Sequence, residues 1–271
     1  MERAETSTGT STPKVVVISL DVEECDIPCE YGAKIGLPAQ LEISARGLAR
    51  VMDLLRKEGV SATFYTTGIY AQQRPDDVRH LAQLGEIACH GYSHTGFEED
   101  DLGRSLDILR SVSAQPVVGF RMPRMQEISS SLLEKNGIRY NASSNPTWIP
   151  GRYCGLKDPR RPYLSDGGVI QFPASVTQWV RFPLFWISAH VLPYTLYKSL
   201  LLRTFRHDGY LHLYFHPWEF SDDLRDPSYR IPGYIRKRCG MPMLNFLKRL
   251  ISDLKGEGCT FKTASNFLQI L

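Results

Sequence analysis

The feature that most constrains the fold is an alternation of apolar runs and helical stretches, repeated four times before residue 145. Lys14-Val-Val-Val-Ile-Ser-Leu20 is a continuous β-branched run, the pattern of a strand buried on both faces of a parallel sheet. Ser44 can cap a helix running to about Lys57, with Leu48, Val51, Leu54 and Leu55 at helical spacing and Gly59 to end it. Strands over 62–66, 86–89, 116–120 and 138–141 follow, separated by helices over 75–84, 98–112 and 127–136. Later strands fall at 169–172, 210–215 and 259–262, with a long helix over 241–255 and a terminal helix. Such βα units imply a parallel sheet, either open and doubly wound or closed into a barrel. A length of 271 residues suits a single α/β barrel. No Gly-x-Gly-x-x-Gly follows the first strand and no Walker A motif is present, which disfavours nucleotide-binding versions. Residues 25–42, with Pro28, Gly32, Gly36 and Pro38, read as a long irregular loop, and 145–168 as a second.

Composition narrows the function classes. A net charge of +3 is too small to argue for nucleic acid, and no ladder of aromatic and basic residues suggests a single-strand channel. The six cysteines are sparse and contain no Cys-x-x-Cys; Cys25 and Cys29 lack a second pair to complete a metal site. Residues 1–13 are polar, have no apolar core of a signal peptide, and read as a disordered tail before one domain over 14–271. Reduced thiols and a cytoplasmic location are the default expectation. The segment from Trp179 to Arg206 is apolar, aromatic and basic but broken by Pro183 and Pro193; it reads as core and lid or as a peripheral contact with the inner membrane face.

The polar residues fall where strands end. Asp21 and Glu23 follow the first strand, His90 and His94 the third, Arg121 the fourth and His216 a late one. In a parallel sheet or barrel these ends share one rim. Alone, His-x-x-x-His describes two surface histidines. With acids delivered to the same rim, the pair has what a catalytic metal site needs, which is three protein ligands and an open position. Residues 21 and 23 point to one side of a strand, so one carboxylate can bind the ion and the other can take a proton from its water.

The chain resembles the polysaccharide deacetylases, the NodB-homology or family-4 carbohydrate esterases. The motifs are Ser19-Leu-Asp-Val-Glu23, His90-Gly-Tyr-Ser-His94, Gly119-Phe-Arg-Met-Pro123 and Tyr214-Phe-His-Pro-Trp-Glu219, in family order from residue 14 to 219. The Asp-Val-Glu and His-Pro-Trp-Glu variants are most similar to a bacterial branch linked to exopolysaccharide and envelope loci. The resemblance implies a distorted (β/α)7 barrel and one divalent metal ion, zinc first, with cobalt, nickel or manganese as alternatives. It implies Asp21 as general base, Glu23, His90 and His94 as ligands, Arg121 as partner of the base, and His216 as the acid that protonates the leaving amine. Glu24 is the alternative third ligand, because the commoner first motif has adjacent aspartates. Substrate contacts fall to Arg124, Pro123 and Trp218, with a backbone N–H near Arg124 at the oxyanion. Arg124 stands where an aromatic is usual, which favours an anionic sugar or a lipid-linked phosphate. The acid that tunes His216 is not assigned. The function implied is removal of an N-acyl group, acetyl first, from an amino sugar in a glycan or a lipid-linked precursor. A deformylase of a lipid-linked formamido sugar, a non-catalytic carbohydrate-binding protein and an allantoinase-like amidohydrolase are the alternatives.

Overall fold

In the computed structural model, which describes residues 14–149 and 153–270, seven parallel strands form the wall of a distorted (β/α)7 barrel. They are β1 Val15–Val22, β2 Ala62–Thr66, β3 Gly85–Cys89, β4 Gly119–Phe120, β5 Tyr140–Asn141, β6 Ile170–Gln171 and β7 Tyr210–Phe215. Their order around the wall is β7-β1-β2-β3-β4-β5-β6. The ring closes without a regular strand pair: the Ser175 N–H donates to His212 O at 2.9 Å, and the His212 N–H to Ser175 Oγ at 2.9 Å. The strands shrink from eight residues to two on the way round, and that inequality is the distortion. A further strand, Thr260–Phe261, lies beside the start of β1, and Tyr163–Leu164 pairs antiparallel with β6. The tail expected at residues 1–13 lies outside the described residues.

A two-residue period sorts the wall into an inside and an outside. Val16, Ile18, Leu20 and Val22 of β1 pack outward in the large apolar layer beneath the helices. Val15 and Val17 pack inward with Tyr65, Ala88, Tyr140, Phe172 and Tyr210. Continuing the inward face of β1 leads through Ser19 to Asp21, and continuing that of β7 leads from Tyr210 through His212 and Tyr214 to His216. The floor is tied by Glu86, which accepts from Thr63 Oγ1 at 3.0 Å, Tyr140 OH at 2.8 Å and the Ser265 N–H at 3.1 Å. Gly119 makes room inside: a Cβ there would sit 2.2 Å from the Tyr140 ring.

Most expected elements form, and the chief difference lies in the first loop. Helix α1 spans Leu37–Glu58, beginning seven residues before Ser44, and Ile27–Glu30 is a short helix of its own. Pro38 sits in the first turn of α1, where its missing N–H costs nothing, so it starts the helix rather than interrupting the chain. The apolar stripe Leu41, Leu48, Val51 and Leu55 is buried against the wall, and Gly59 caps the end with φ +60. Gly47 lets α1 touch the turn after β7: a Cβ there would lie 1.9 Å from Pro217 O. The apolar segment after residue 182 folds as helices α2 Trp186–Val191 and α3 Tyr194–Asp208. Among the described residues no helix is long and apolar enough to cross a membrane.

Candidate metal centre and active site

The rim at the C-terminal ends of β1, β3, β4 and β7 brings the motif residues to one cleft. Asp21, Glu23, His90, His94, Arg124, His216 and Trp218 all line it. His90 extends β3, its N–H donating to Thr66 O at 3.0 Å. Gly91 then takes φ +71, a left-handed turn that lets the chain swing back and present His94 beside His90. The turn is pinned from below by hydrogen bonds from Gly68 N–H at 2.9 Å and Ser105 Oγ at 2.7 Å to Gly91 O.

Glu23, His90 and His94 each offer one ligand atom, and the three atoms lie within 4.8 Å of one another. Glu23 Oε2 is 3.1 Å from His90 Nε2 and 3.4 Å from His94 Nε2. Ligand atoms about 2.0–2.1 Å from a tetrahedral ion lie roughly 3.4 Å apart, so the donor set fits a divalent metal. The other imidazole nitrogens point away from that centre. His90 Nδ1 donates to Arg121 O at 2.7 Å, and His94 Nδ1 faces Asp26 Oδ1 at 2.9 Å. This is the outer layer that fixes imidazole tautomers in metal sites, leaving both Nε2 atoms free to ligate. Burial lowers the His94 pKa, but the Glu23 and Asp26 carboxylates outweigh it and lift it to about 9 in the absence of a cation. Burial likewise raises Asp26, yet its bond to His94, with Thr95 and Arg124, pulls it down to about 2.

Glu24 lies outside the group of three converging donors. Its Oε2 accepts from Thr67 Oγ1 at 3.0 Å and its Oε1 from the His94 N–H at 2.8 Å, so it braces the histidine loop from outside the centre. Glu23 joins His90 and His94 in the converging donor set because the inward period of β1 continues past Asp21 to residue 23.

Asp21 and Arg121 form a buried pair across the barrel. Arg121 Nη1 donates to Asp21 Oδ1, its Nη2 to His212 Nε2 at 2.9 Å, and its Nε to Ala142 O at 3.1 Å. The guanidinium carbon lies 4.0 Å from the Tyr65 ring centre and 4.8 Å from that of Tyr214. Burial would raise the Asp21 pKa, but Arg121, His90 and His216 together hold it below its ordinary value. His212 is the opposite case: burial first, and then Arg121, press its pKa down to about 3, so it stays neutral and accepts from Arg121. Its Nδ1 donates to Pro173 O at 3.1 Å, and its ring stacks on Phe172 with centroids 4.0 Å apart.

His216 faces this pair from the other wall, its Nε2 3.9 Å from Asp21 Oδ2. Its Nδ1 donates to Glu219 Oε1 at 3.0 Å, and its own backbone N–H reaches the same oxygen at 2.6 Å. Glu219 is therefore the acid behind His216. It stands three residues on, where the turn Pro217–Phe220 folds it back. Burial opposes the protonated imidazole, but Glu219, Glu23 and Asp21 outweigh it and raise the His216 pKa. Trp218 stacks on His216 at 4.9 Å between centroids, and Trp186 meets both rings edge-on.

The other two expected substrate contacts, Pro123 and Arg124, are placed differently from Trp218. Pro123 is not among the residues lining the cleft; it is buried behind Gly91, where an added Cβ would come within 3.3 Å of the Pro123 ring. Arg124 lines the rim, but its guanidinium is paired with Asp26 at 2.9 Å and Glu30 at 2.7 Å, so its charge is largely balanced by the protein. The sequence reading did not single out Asp26, Glu30, His190, His212, Glu219, Tyr214 or Trp186 as site residues. The two-residue period running back from His216 would have found Tyr214 and His212, and Glu219 stood inside a motif already quoted.

Residues 42–140 match the polysaccharide deacetylase family. A curated relative, an uncharacterized 30.6 kDa protein in the fumA 3′ region of Geobacillus stearothermophilus, is 31% identical over 102 residues. That stretch is 34% of this chain and 38% of the relative, well under half of either. Among solved structures, a protein from Mycobacterium smegmatis provisionally named a polysaccharide deacetylase aligns over 94% of both chains with a TM-score of 0.58 and 20% identity. Puue allantoinase aligns over 98% of this chain and 95% of its own with a TM-score of 0.62 and 15% identity. At these identities the structural likeness is one of fold. The family match thus covers residues 42–140, and the barrel around it is the fold this chain shares with these solved structures.

Proposed function

We propose that the chain is a metal-dependent hydrolase that removes an N-acyl group, acetyl first, from an amino sugar. The observation that carries this reading is the facing arrangement in one cleft: the Glu23, His90 and His94 donors, with Asp21 and His216 3.9 Å apart beside them. A divalent ion held by Glu23, His90 and His94, zinc being the first candidate for such donors, supplies a water of lowered pKa and polarises the acyl oxygen. Asp21, kept ionised by Arg121, accepts the proton of the attacking water through the oxygen not bonded to Arg121. His216, protonated with the help of Glu219, gives its Nε2 proton to the amide nitrogen so that the amine leaves. Trp186 and Trp218 wall the cleft on the acid's side and exclude water around it.

The test is a mass-spectrometric screen of the metal-loaded protein for loss of acetyl or formyl from nucleotide-linked, lipid-linked and oligomeric amino sugars. Asp21→Asn and His216→Ala are expected to remove most of the activity while retaining the wild-type fold by circular dichroism. Near wild-type turnover in either variant would overturn the roles assigned to them. A loss of formyl alone would shift the reading to a deformylase.

The same reading extends to where the substrate sits. Trp179 and Val180 cap a tight hairpin closed by Thr177 and Phe182, and are 84% and 76% exposed. Arg203 of α3 lines the same surface pocket as Trp179 and Val180, and both it and Arg206 further along the helix are exposed and make no ion pair among the described residues. We infer that this aromatic tip with unbalanced positive charge rests on an anionic lipid surface, which suits a lipid-linked precursor.

A further inference from the structure

We propose that His190 is a positioning residue for the proton donor His216, acting through Glu219. His190 lies on α2, outside every motif, and its side chain is fully buried. Its Nε2 is 2.9 Å from Glu219 Oε2, while Glu219 Oε1 holds His216 Nδ1 at 3.0 Å. One carboxylate thus bridges two imidazoles, one at the cleft and one inside the protein. His190 Nδ1 meets no partner among the described residues. A proton there would be a buried donor without an acceptor, so the ring carries it on Nε2 and donates it to Glu219. The helix is held in place by Arg238, whose Nη1 donates to Ala189 O, and by Trp186, whose ring meets His190 edge-on at 6.0 Å.

The consequence follows from counting charge. With His216 neutral, the Glu219–His216 pair carries one buried negative charge, and the His190 N–H stabilises that state. Once the pair has taken up a proton it is neutral overall, wherever the proton sits, and needs that donor less. His190 therefore weakens the grip of the pair on its proton and makes His216 a readier acid. The other ionisable groups near the pair do not supply this donor. Asp21 and Glu23 face His216, Arg121 sits behind Asp21, and Tyr197 and Cys239 face Glu219, both kept protonated by burial.

The inference rests on the deacetylase reading for its catalytic meaning, but its test does not. Full-length protein labelled with ¹⁵N-histidine is titrated by NMR, following the His216 imidazole. In His190→Leu the midpoint of the pair is expected to rise by about one unit, and in His190→Asn, whose amide can donate, to return toward wild type. In a Glu219→Gln background, His190→Leu should leave the His216 midpoint unmoved. A folded His190→Leu protein with an unchanged midpoint, or the same shift with Glu219→Gln present, overturns the proposal. If His190→Leu does not fold, His190→Met, which also lacks a donor, is compared with Glu219→Gln/His190→Met by the same criterion. On a substrate found by the screen above, His190→Leu lowers kcat, moves the basic limb of its pH profile upward and leaves KM unchanged.

Discussion

Replacing Arg121 with methionine removes the buried guanidinium at the centre of the barrel and leaves three partners behind. Asp21 Oδ1, Ala142 O and His212 Nε2 all lose a donor in a place with no access to solvent, since Arg121 is fully buried. Breaking a buried pair by deleting one member costs about 3–5 kcal/mol, because the remaining charge is uncompensated. With a urea slope of about 3 kcal/mol per molar, the unfolding midpoint should fall by roughly 1–1.7 M. The dependence on pH carries more information than the size. In the wild type the Asp21 pKa is depressed, so its contribution to stability is present above the unfolded value and is lost as pH falls through the folded one. Without Arg121, burial dominates and the pKa rises above the unfolded value of about 3.9. The penalty is then present at neutral pH and disappears as pH falls and Asp21 takes up a proton. Urea titrations with a chelator present, at about pH 7 and about pH 5, should therefore show the larger loss at pH 7. Adding Asp21→Asn to Arg121→Met should recover about 1–3 kcal/mol at pH 7. A loss that is independent of pH, or a double variant no more stable than Arg121→Met, would refute the pairing as the source of the cost.

Metal analysis after gel filtration should find stoichiometric divalent ion in the wild type and none in Glu23→Ala, His90→Ala or His94→Ala. Asp26→Asn should weaken binding by about 10–100-fold through the His94 imidazole, whereas Glu24→Gln should retain the ion. A Glu24→Gln protein as empty as Glu23→Ala would reverse the ligand assignment. Because His94 without metal is held near about 9, loading close to pH 7 should expel a proton, and affinity should rise with pH up to that value. Calorimetric heats that do not depend on the buffer would count against His94 as a ligand. The full chain should co-sediment at low salt with vesicles containing phosphatidylglycerol and lose this with Trp179→Ser; no pelleting at low salt would end the membrane reading.

The strands over 62–66 and 210–215 were legible to the residue, since each is a run of apolar and aromatic residues stopped by a change of chemistry. The expected strands over 116–120 and 138–141 shorten to two residues each, because pairing there is set by the neighbouring strand and not by local propensity. The start of α1 was hidden for a different reason. Gly36 and Pro38 carry the same local signal in a loop and at a helix start, and only packing distinguishes them. In the cleft, every charged or histidine residue taken from the motifs stands on the rim or just beneath it. The layer behind them was less legible. Glu219 had a clue in its spacing from His216, but His190 comes from a helix 26 residues earlier with no pattern of its own. Asp26 sits in a stretch read as loop, and only the fold shows that it supports His94.

The closure of the barrel at Ser175 and His212 links the wall to the chemistry in time as well as in space. The seam is two hydrogen bonds of 2.9 Å, and the imidazole of the same residue holds Arg121. Any fluctuation that parts this seam also frees the guanidinium that keeps Asp21 ionised. Amide exchange at Ser175 and His212 should therefore report the rate at which the Asp21–Arg121–His212 arrangement transiently dissolves, and a ligand that tightens the cleft should slow exchange at a seam it never touches.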